Sequence, residues 1–530
     1  MCNKGFGRLL AAASAALLAL SLTACGADPS AETAGGPPPA GGTLRIAIGQ
    51  DEPSLGILDF KTHSFGVLDQ IYEPLVRYGE GGEITPGLAE RWEVSDDGHT
   101  MTFHLRSGVE FSDGTAFDAE VAKADLERWV GKEDYSFLGL SAHATAVAAP
   151  DASTVVITLD EAYPPALQEL TYVRPTRFPS PKAFDASGAI VDPIGTGPYK
   201  VDSVSATEIV LVRNDSYWGG RPNLDKIEFK VIPDTAARLA ALQNDEVDII
   251  GGDYLAPLAA ADAVTLKSAS GISELTAPSQ SNLVTLFNTE TGNVALQDPA
   301  VRQAIAIALD RDGYAKALFA GYASPATELM PAGIPDAPQD PRTLTRDTEQ
   351  AKQLLDGAGW SGTNVRSKAG TELRLDLVMQ PELLPQAKAL SEAVQADLAD
   401  IGIGLDIRSL DATSYSDALS NRAYDLQFFL TYGPPYDPFG TLNDTFRTTT
   451  GSSPYNTPEL DALIDAAQAQ DDPAARRAAY GAVFDALDAA WAYAPIVETR
   501  RIWAVRDEVK GFELGTTEYD LPLTAVGVAD

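Results

Sequence analysis

Apolar and polar positions alternate over residues 43–48, the period of a strand with one face on a core. Residues 66–75 read as a short helix leading into Leu75-Val76-Arg77-Tyr78. Two strand-like runs, 92–94 and 101–105, flank Asp97-Gly98, a hairpin turn, and Asp113-Gly114 makes another. Asp118 is placed to cap a helix over 119–129, with Glu120 in its first turn and Val121, Leu126 and Trp129 as apolar positions. Strands follow at 154–159, 209–212 and 227–232. Asp234 then caps a helix carrying Leu239 and Leu242. Up to here sheet and helix mix in an α+β manner.

Beyond about residue 281 the rhythm becomes strand–helix–strand. Residues 283–287 form a strand, and Asp298-Pro299 opens an amphipathic helix over 300–309 with proline at its first position. Asp347 opens another helix, with Gly357 just past its end. Strands at 373–379, 404–407 and 425–430 are separated by helical stretches. Asp472-Pro473 starts a last long helix through Trp491, and 495–505 closes the chain as a strand. The fold class is α/β, mixed α+β in the first lobe. Two lobes of different texture are joined near 278–282 and again near 493–495, and two crossovers make a hinge.

A chain of 530 residues exceeds one core and calls for two or three domains. Hydrophobic content of 45% and charged content of 22% are those of a soluble globular protein. The net charge of −36 repels polyanions and argues against a nucleic-acid partner. Lys4 and Arg8 precede an apolar run, 9–20, too short to span a membrane comfortably. It ends in Leu22-Thr23-Ala24-Cys25-Gly26, which resembles the bacterial lipobox. On that reading residues 1–24 are a lipoprotein signal peptide and Cys25 is the lipidated first mature residue. The alternative is an ordinary secretory signal with an incidental cysteine. Two or more acyl chains anchor stably where one is marginal. Cys2 leaves with the signal, so the mature chain has no disulfide, no thiol nucleophile and no Cys-rich zinc site. Residues 25–42, rich in Pro, Gly and Ala, have no apolar face and read as a disordered tether.

Catalytic signatures are missing: there is no P-loop, no Gly-x-Ser-x-Gly and no His-Glu-x-x-His. His63, His99, His104 and His143 never fall at the i, i+4 spacing of a helical metal site. His99 and His104 flank the hairpin and belong on a sheet surface, whereas His63 lies in a loop near the expected cleft. Carboxylates are too abundant for any two to be paired as a glycosidase couple. Nothing supports an enzyme, and no cofactor is called for. Two irregular stretches stand out instead. In 167–199, Pro175, Pro179, Pro181, Pro193 and Pro198 exclude a long helix and stiffen a segment carrying Arg174 and Arg177. It fits a cleft wall, or a surface loop whose arginines pair with nearby acids. Residues 433–439, Gly-Pro-Pro-Tyr-Asp-Pro-Phe, leave the C-terminal end of a strand, where α/β folds bind ligands, and Tyr432 and Tyr436 offer rings with hydroxyl handles. A plain proline-rich turn is the other reading.

The stretches Tyr72-Glu73-Pro74-Leu75, Arg106-Ser107-Gly108-Val109, Phe111-Ser112-Asp113-Gly114 and Arg213-Asn214-Asp215-Ser216-Tyr217-Trp218-Gly219 resemble family 5 solute-binding proteins of ABC transporters. The likeness runs from about residue 42 to the C-terminus. Ala162-Tyr163-Pro164, Arg174-Pro175-Thr176-Arg177-Phe178, Pro193-Ile194-Gly195-Thr196-Gly197-Pro198 and Tyr436-Asp437-Pro438 are similar to the nickel-binding branch. The resemblance implies a two-lobed, three-domain periplasmic-binding-protein-like fold. Domain I would comprise 43–84, 193–280 and 495–530, domain II 85–192, and domain III 281–494. It implies a monomer, lipid-anchored outside the cytoplasm, that captures a small solute, here an anionic metal chelate, and delivers it to ABC permease subunits. The alternative is a di- or oligopeptide-binding protein. Arg174 would grip chelate carboxylates with Tyr436 beside it. Tyr432 and Phe137 would replace pocket tryptophans, and Phe60 and Phe65 would lie on the first cleft loop. Pro434 stands where the peptide branch keeps an amine-binding aspartate, which disfavours a free peptide N-terminus. Asp134 stands where the nickel branch has a second arginine, and no histidine occurs between 438 and 457 to match its metal contact. No residue is assigned as a direct metal ligand.

Overall fold

The computed structural model describes residues 38–49, 55–58, 65–135, 138–251, 257–267, 269–338, 340–381, 384, 386–432, 437–449, 454–470 and 472–529. Cys25, Phe60, His63, Phe137 and Tyr436 lie outside them.

Local signals set most helix starts. The carboxylates of Asp118, Asp234, Asp298, Asp347 and Asp472 accept from the amides of Val121, Ala237, Ala300, Gln350 and Ala475 at 2.8–3.0 Å. Each satisfies an amide that has no partner within its helix, worth about 1 kcal/mol. Helix ends depart more from expectation. The first helix is Phe65–Ile71, because Pro74 disfavours helical backbone at Glu73, and the strand Val76–Tyr78 follows. The second stops at Leu126, and Trp129 is buried in the turns beyond it. Gly357 is the last residue of its helix; the left-handed turn falls on Gly359, at φ 86°. The last helix ends at Ala489, short of Trp491, whose φ is +49°.

Among the described residues the main sheet holds eleven strands. Its order is Gly404–Ser409, Arg374–Met379, Leu426–Leu430, Ile272–Phe287, Tyr493–Arg506, Ile249–Gly251, Thr43–Ile48, Lys226–Val231, Glu208–Arg213 and Tyr199–Val204, with Ala323–Pro325 paired to Tyr493–Arg506. Each half holds a parallel patch. Thr43–Ile48 runs parallel to both Lys226–Val231 and Ile249–Gly251, and Arg374–Met379 runs parallel to both Gly404–Ser409 and Leu426–Leu430. Between them lies the antiparallel ribbon of the two longest strands.

The expected strand 283–287 is thus only the end of Ile272–Phe287, a strand of 16 residues. Its first half pairs on one side alone, with Tyr493–Arg506, and its side chains stay largely in contact with water. A half-exposed edge tolerates Pro278 and polar residues, so the apolar alternation of a buried strand is missing there. Tyr493–Arg506 is buried towards both ends, and Ile272–Phe287 only towards Phe287. The ladder slips between Pro278, opposite Arg500, and Asn282, opposite Glu498, and here the second strand is open to solvent.

A second, antiparallel sheet, Ala89–Val94, Thr100–Leu105, Thr154–Leu159 and Ala144–Asp151, packs its own core of Phe103, Phe111, Trp129 and Phe178. The expected hairpin at Asp97-Gly98 joins its first two strands. His104 sits on the second of these strands and His99 in the turn before it, both half-buried, His104 facing Glu93 at 3.8 Å.

Candidate ligand cleft

The stretch 167–199 leaves a one-turn helix, Ala166–Glu169, and is pinned at several points. Phe178 enters the second core, edge-on to Phe117 at 5.4 Å. Gly195 and Gly197 press against the end of helix Phe65–Ile71: a Cβ would stand 1.9 Å from the Ile71 carbonyl oxygen at the first and 2.4 Å from that of Gln70 at the second. Only glycine allows that approach. Between them Thr196 donates to Glu73, a fully buried carboxylate that also accepts from Arg77, Tyr217 and Trp218, all at 2.7–2.9 Å. Four donors around one buried carboxylate meet the requirement for burying a charge. They tie three distant segments into one wall.

The two arginines of this stretch have different surroundings. Arg177 is 2% exposed and lies 3.5 Å from Asp69, with no hydrogen bond to its Nε or Nη1 among the described residues. Burial pulls its guanidinium below the ordinary arginine value, against the attraction of Asp69. It belongs to the fold. Arg174 is only half-buried. Its guanidinium carbon stands 5.4 Å from the centre of the Phe65 ring, within cation–π range. It also hydrogen-bonds the Tyr172 hydroxyl. Burial lifts that phenol above its usual range and Arg174 works against the rise. The rings of Phe65, Tyr172 and Tyr519 form a closed set: Phe65 meets Tyr519 edge-on at 4.9 Å and Tyr172 at 6.2 Å, and Tyr172 meets Tyr519 edge-on at 5.4 Å.

Of the residues expected from sequence, the structure therefore brings Arg174 and Phe65 together. Phe65 is not on a loop; it is the buried first residue of its helix. Tyr432, 36% exposed, follows strand Leu426–Leu430, donates to Asp444 at 2.9 Å and packs on Phe429. Asp134 is exposed on a single 3-10 turn, away from any role as a buried anchor. Tyr172 and Tyr519 were missed. Tyr172 lies two residues from Arg174 in the stretch already singled out. Tyr519 sits in a C-terminal run, Gly-Thr-Thr-Glu-Tyr-Asp, that carries no local mark of a site.

Near this wall the two halves of the chain meet in a polar contact. Glu169 is buried and accepts from the amides of Gly139 and Leu140 and from the Tyr163 hydroxyl at 2.7–3.0 Å. The Tyr163 ring meets Phe439 edge-on at 6.1 Å. Asp437, two residues before Phe439, accepts from the Phe439 amide at 2.6 Å, at the start of helix Phe439–Phe446, and from Tyr480 at 3.0 Å. Its Oδ2 is buried without a hydrogen bond among the described residues. Burial pushes Glu169 up to about 7 and Asp437 up to about 6. Beside them Arg476 pairs with Asp336 at 2.8 Å and lines an open groove of about 430 Å³ with Tyr163, Leu167 and Gln168. Among the described residues no cluster of three or more His, Cys, Asp or Glu side chains is arranged to hold a metal ion.

Residues 83–453 match the model of the bacterial extracellular solute-binding proteins, family 5 middle region. The chain belongs to that family. The nickel-binding periplasmic protein of Escherichia coli (strain K12) is 31% identical over 443 residues, covering 80% of this chain and 83% of the relative. An ABC transporter substrate-binding protein from Sinorhizobium meliloti superposes with a TM-score of 0.80 at 38% identity, over 92% of this chain and all of that one. NikA from Brucella suis, solved in complex with Fe(III)-EDTA, gives 0.86 at 29% identity, again over 92% and 100%. The mixed α/β fold is therefore that of periplasmic binding proteins. Family 5 members work outside the cytoplasm, bind small solutes or peptides for ABC permeases and are not enzymes.

Proposed function

We propose that this family 5 protein captures a small anionic metal chelate of the nickel type and delivers it to its permease. The observation that carries the reading is Arg174: a half-buried guanidinium presented on an aromatic wall beside a phenol, while its neighbour Arg177 is spent on a buried acid. A guanidinium fork matches a carboxylate in shape and charge, and aromatic faces suit the flat edges of a chelate. The likeness to a nickel-binding protein and to one that holds Fe(III)-EDTA supports the same ligand chemistry. In this reading Tyr432, Tyr436, Phe137, Phe60 and Phe65 complete the pocket, the three domains divide as the sequence suggests, and the protein acts as a monomer. Metal arrives as cargo inside its chelator. Cys25 carries the lipid that holds the protein at the membrane.

Calorimetric titration with nickel–histidine tests the site. Losing one partner of a buried charge pair costs about 2–5 kcal/mol, so Arg174→Ala should weaken binding roughly 30-fold to several thousand-fold. Its melting temperature should move little. Wild-type affinity in the mutant sinks the site, and a mutant that simply unfolds makes Arg174 a structural residue. Peptides found by mass spectrometry in gently purified protein, with no metal, would favour a peptide importer instead.

A further inference from the structure

The break in the long ribbon is tied to the wall that carries Arg174. Gln280 lies inside the slip, between the pairs Pro278–Arg500 and Asn282–Glu498, and its Nε2 donates to the Thr516 carbonyl at 3.2 Å. Arg501, opposite Ala277 on the facing strand, donates from Nη1 to the Thr517 carbonyl at 2.7 Å and from Nη2 to the Gly515 carbonyl at 3.1 Å. The loop 515–521 that receives these bonds is braced within itself. Asp520 accepts from the Thr517 amide, and Thr517 Oγ1 accepts from the Tyr519 amide, both at 3.2 Å. Its far end is fixed to the first helix, where Asp69 and Gln70 bind the amide and carbonyl of Leu521 at 3.2 and 2.8 Å. Between the two anchorages the Tyr519 ring packs edge-on against Phe65 at 4.9 Å and Tyr172 at 5.4 Å, and the Arg174 guanidinium stands 5.4 Å from the Phe65 ring.

We propose that Gln280 is a positioning residue of the cleft, coupling the bending point of the ribbon to the loop whose Tyr519 backs the Arg174 wall. This rests on the reading of Arg174 given above and adds to it a link between the site and the angle of the ribbon. A ladder with a break in it bends there before the paired segments on either side do. Arg501 sits on the paired side of the break and moves with the loop it holds. Gln280 sits inside the break, so its bond to Thr516 lengthens or shortens on bending unless the loop follows. The loop is short and cross-braced, so a pull at Thr516 is passed on to Tyr519 rather than absorbed. The ring then shifts against Phe65 and Tyr172, and with them the guanidinium they support. Nothing else accounts for an amide at this place: Gln280 Oε1 is buried and has no hydrogen bond among the described residues. A buried oxygen without a donor costs free energy that an apolar side chain would avoid, so the amide is explained by the tie its nitrogen makes.

The test titrates the full chain with nickel–histidine, with thermal melts alongside. It uses wild type, Gln280→Leu, Gln280→Lys, Tyr519→Leu, the double variant of Gln280→Leu with Tyr519→Leu, and Arg174→Ala. One neutral hydrogen bond is worth at most about tenfold in an equilibrium, so Gln280→Leu should weaken binding roughly three- to tenfold at an unchanged melting temperature. Gln280→Lys keeps a donor for Thr516 and should recover most of that loss. In the Tyr519→Leu background Gln280→Leu should cost nothing further, because the ring through which it acts is gone. Wild-type affinity in Gln280→Leu, with Arg174→Ala impaired, overturns the coupling and leaves the site standing. So does a loss that adds in full to that of Tyr519→Leu, one that Gln280→Lys does not recover, or one matched by a fall in melting temperature. If Tyr519→Leu does not fold, Gln280→Leu and Gln280→Lys decide between them. Nickel–histidine binding that survives Arg174→Ala, or wild type that does not bind it, overturns the site and this proposal together.

Discussion

Asp437 and Glu169 sit where water scarcely reaches, in the contact between the two halves of the chain. A carboxyl whose folded value is raised binds its proton more tightly in the folded state than in the unfolded one. Its contribution to stability is therefore complete below about pH 4 and is lost as pH rises through the folded value, about 6 for Asp437 and about 7 for Glu169. For Asp437, a rise from 3.8 to about 6 corresponds to on the order of 3 kcal/mol. Asparagine does not titrate. Relative to wild type, Asp437→Asn should thus gain stability between about pH 4 and 6 and level off above that, whatever constant penalty the amide introduces. Asp336, Arg476, Tyr480, Tyr163, Tyr78 and Glu169 are charged or titratable neighbours that act on this carboxylate, and all remain in the mutant. Denaturation curves at several pH values decide it, and parallel pH profiles would mean that Asp437 does not titrate in this range.

The ribbon of Ile272–Phe287 and Tyr493–Arg506 is the element on which motion depends. Tyr493–Arg506 is buried at both ends and opens to water around Glu498–Arg500, where the ladder to Ile272–Phe287 slips. A broken ladder with solvent on one of its strands bends more easily than the packed sheet on either side, so we infer a hinge there. A solute that touches both halves should favour closure. Small-angle scattering should show a smaller radius of gyration at saturating nickel–histidine than without it, and an unchanged radius argues against the hinge. The ribbon also marks where sequence reading stops. Aspartate caps are legible because the capping oxygen lies two or three residues from the amide it accepts. Strands such as Thr154–Leu159 are legible because both faces of the sheet leave their pattern in the side chains. The first half of Ile272–Phe287 has neither signal, since its only partner lies more than 200 residues away. The cleft divides the same way. Arg174 stands out in a stiff proline-rich stretch, but the ring of Tyr519 reaches its neighbour Tyr172 across 347 residues, and no local rule announces such a meeting.

At the scale of the whole molecule, the lipid claim is separable from the fold. The sequence of 25–42 has no apolar face to bury, so Cys25→Ala should release a folded protein from the membrane without lowering its melting temperature. Detergent-phase partitioning that matches wild type would refute lipidation at Cys25. The sheet order has a consequence for how the protein is made. Tyr493–Arg506 lies at the middle of the sheet, and Leu521 locks onto the helix that begins at Phe65. The last fourteenth or so of the sequence to leave the ribosome and cross the membrane is the piece that fills the middle of the sheet and braces the first helix. Until it arrives, Ile249–Gly251 and the first half of Ile272–Phe287 each lack a neighbour, and their open edges must be kept from other chains. Closing contacts of such long sequence separation places folding at the slow end of the range. For this protein, completion is a late event that belongs to the outside of the cell.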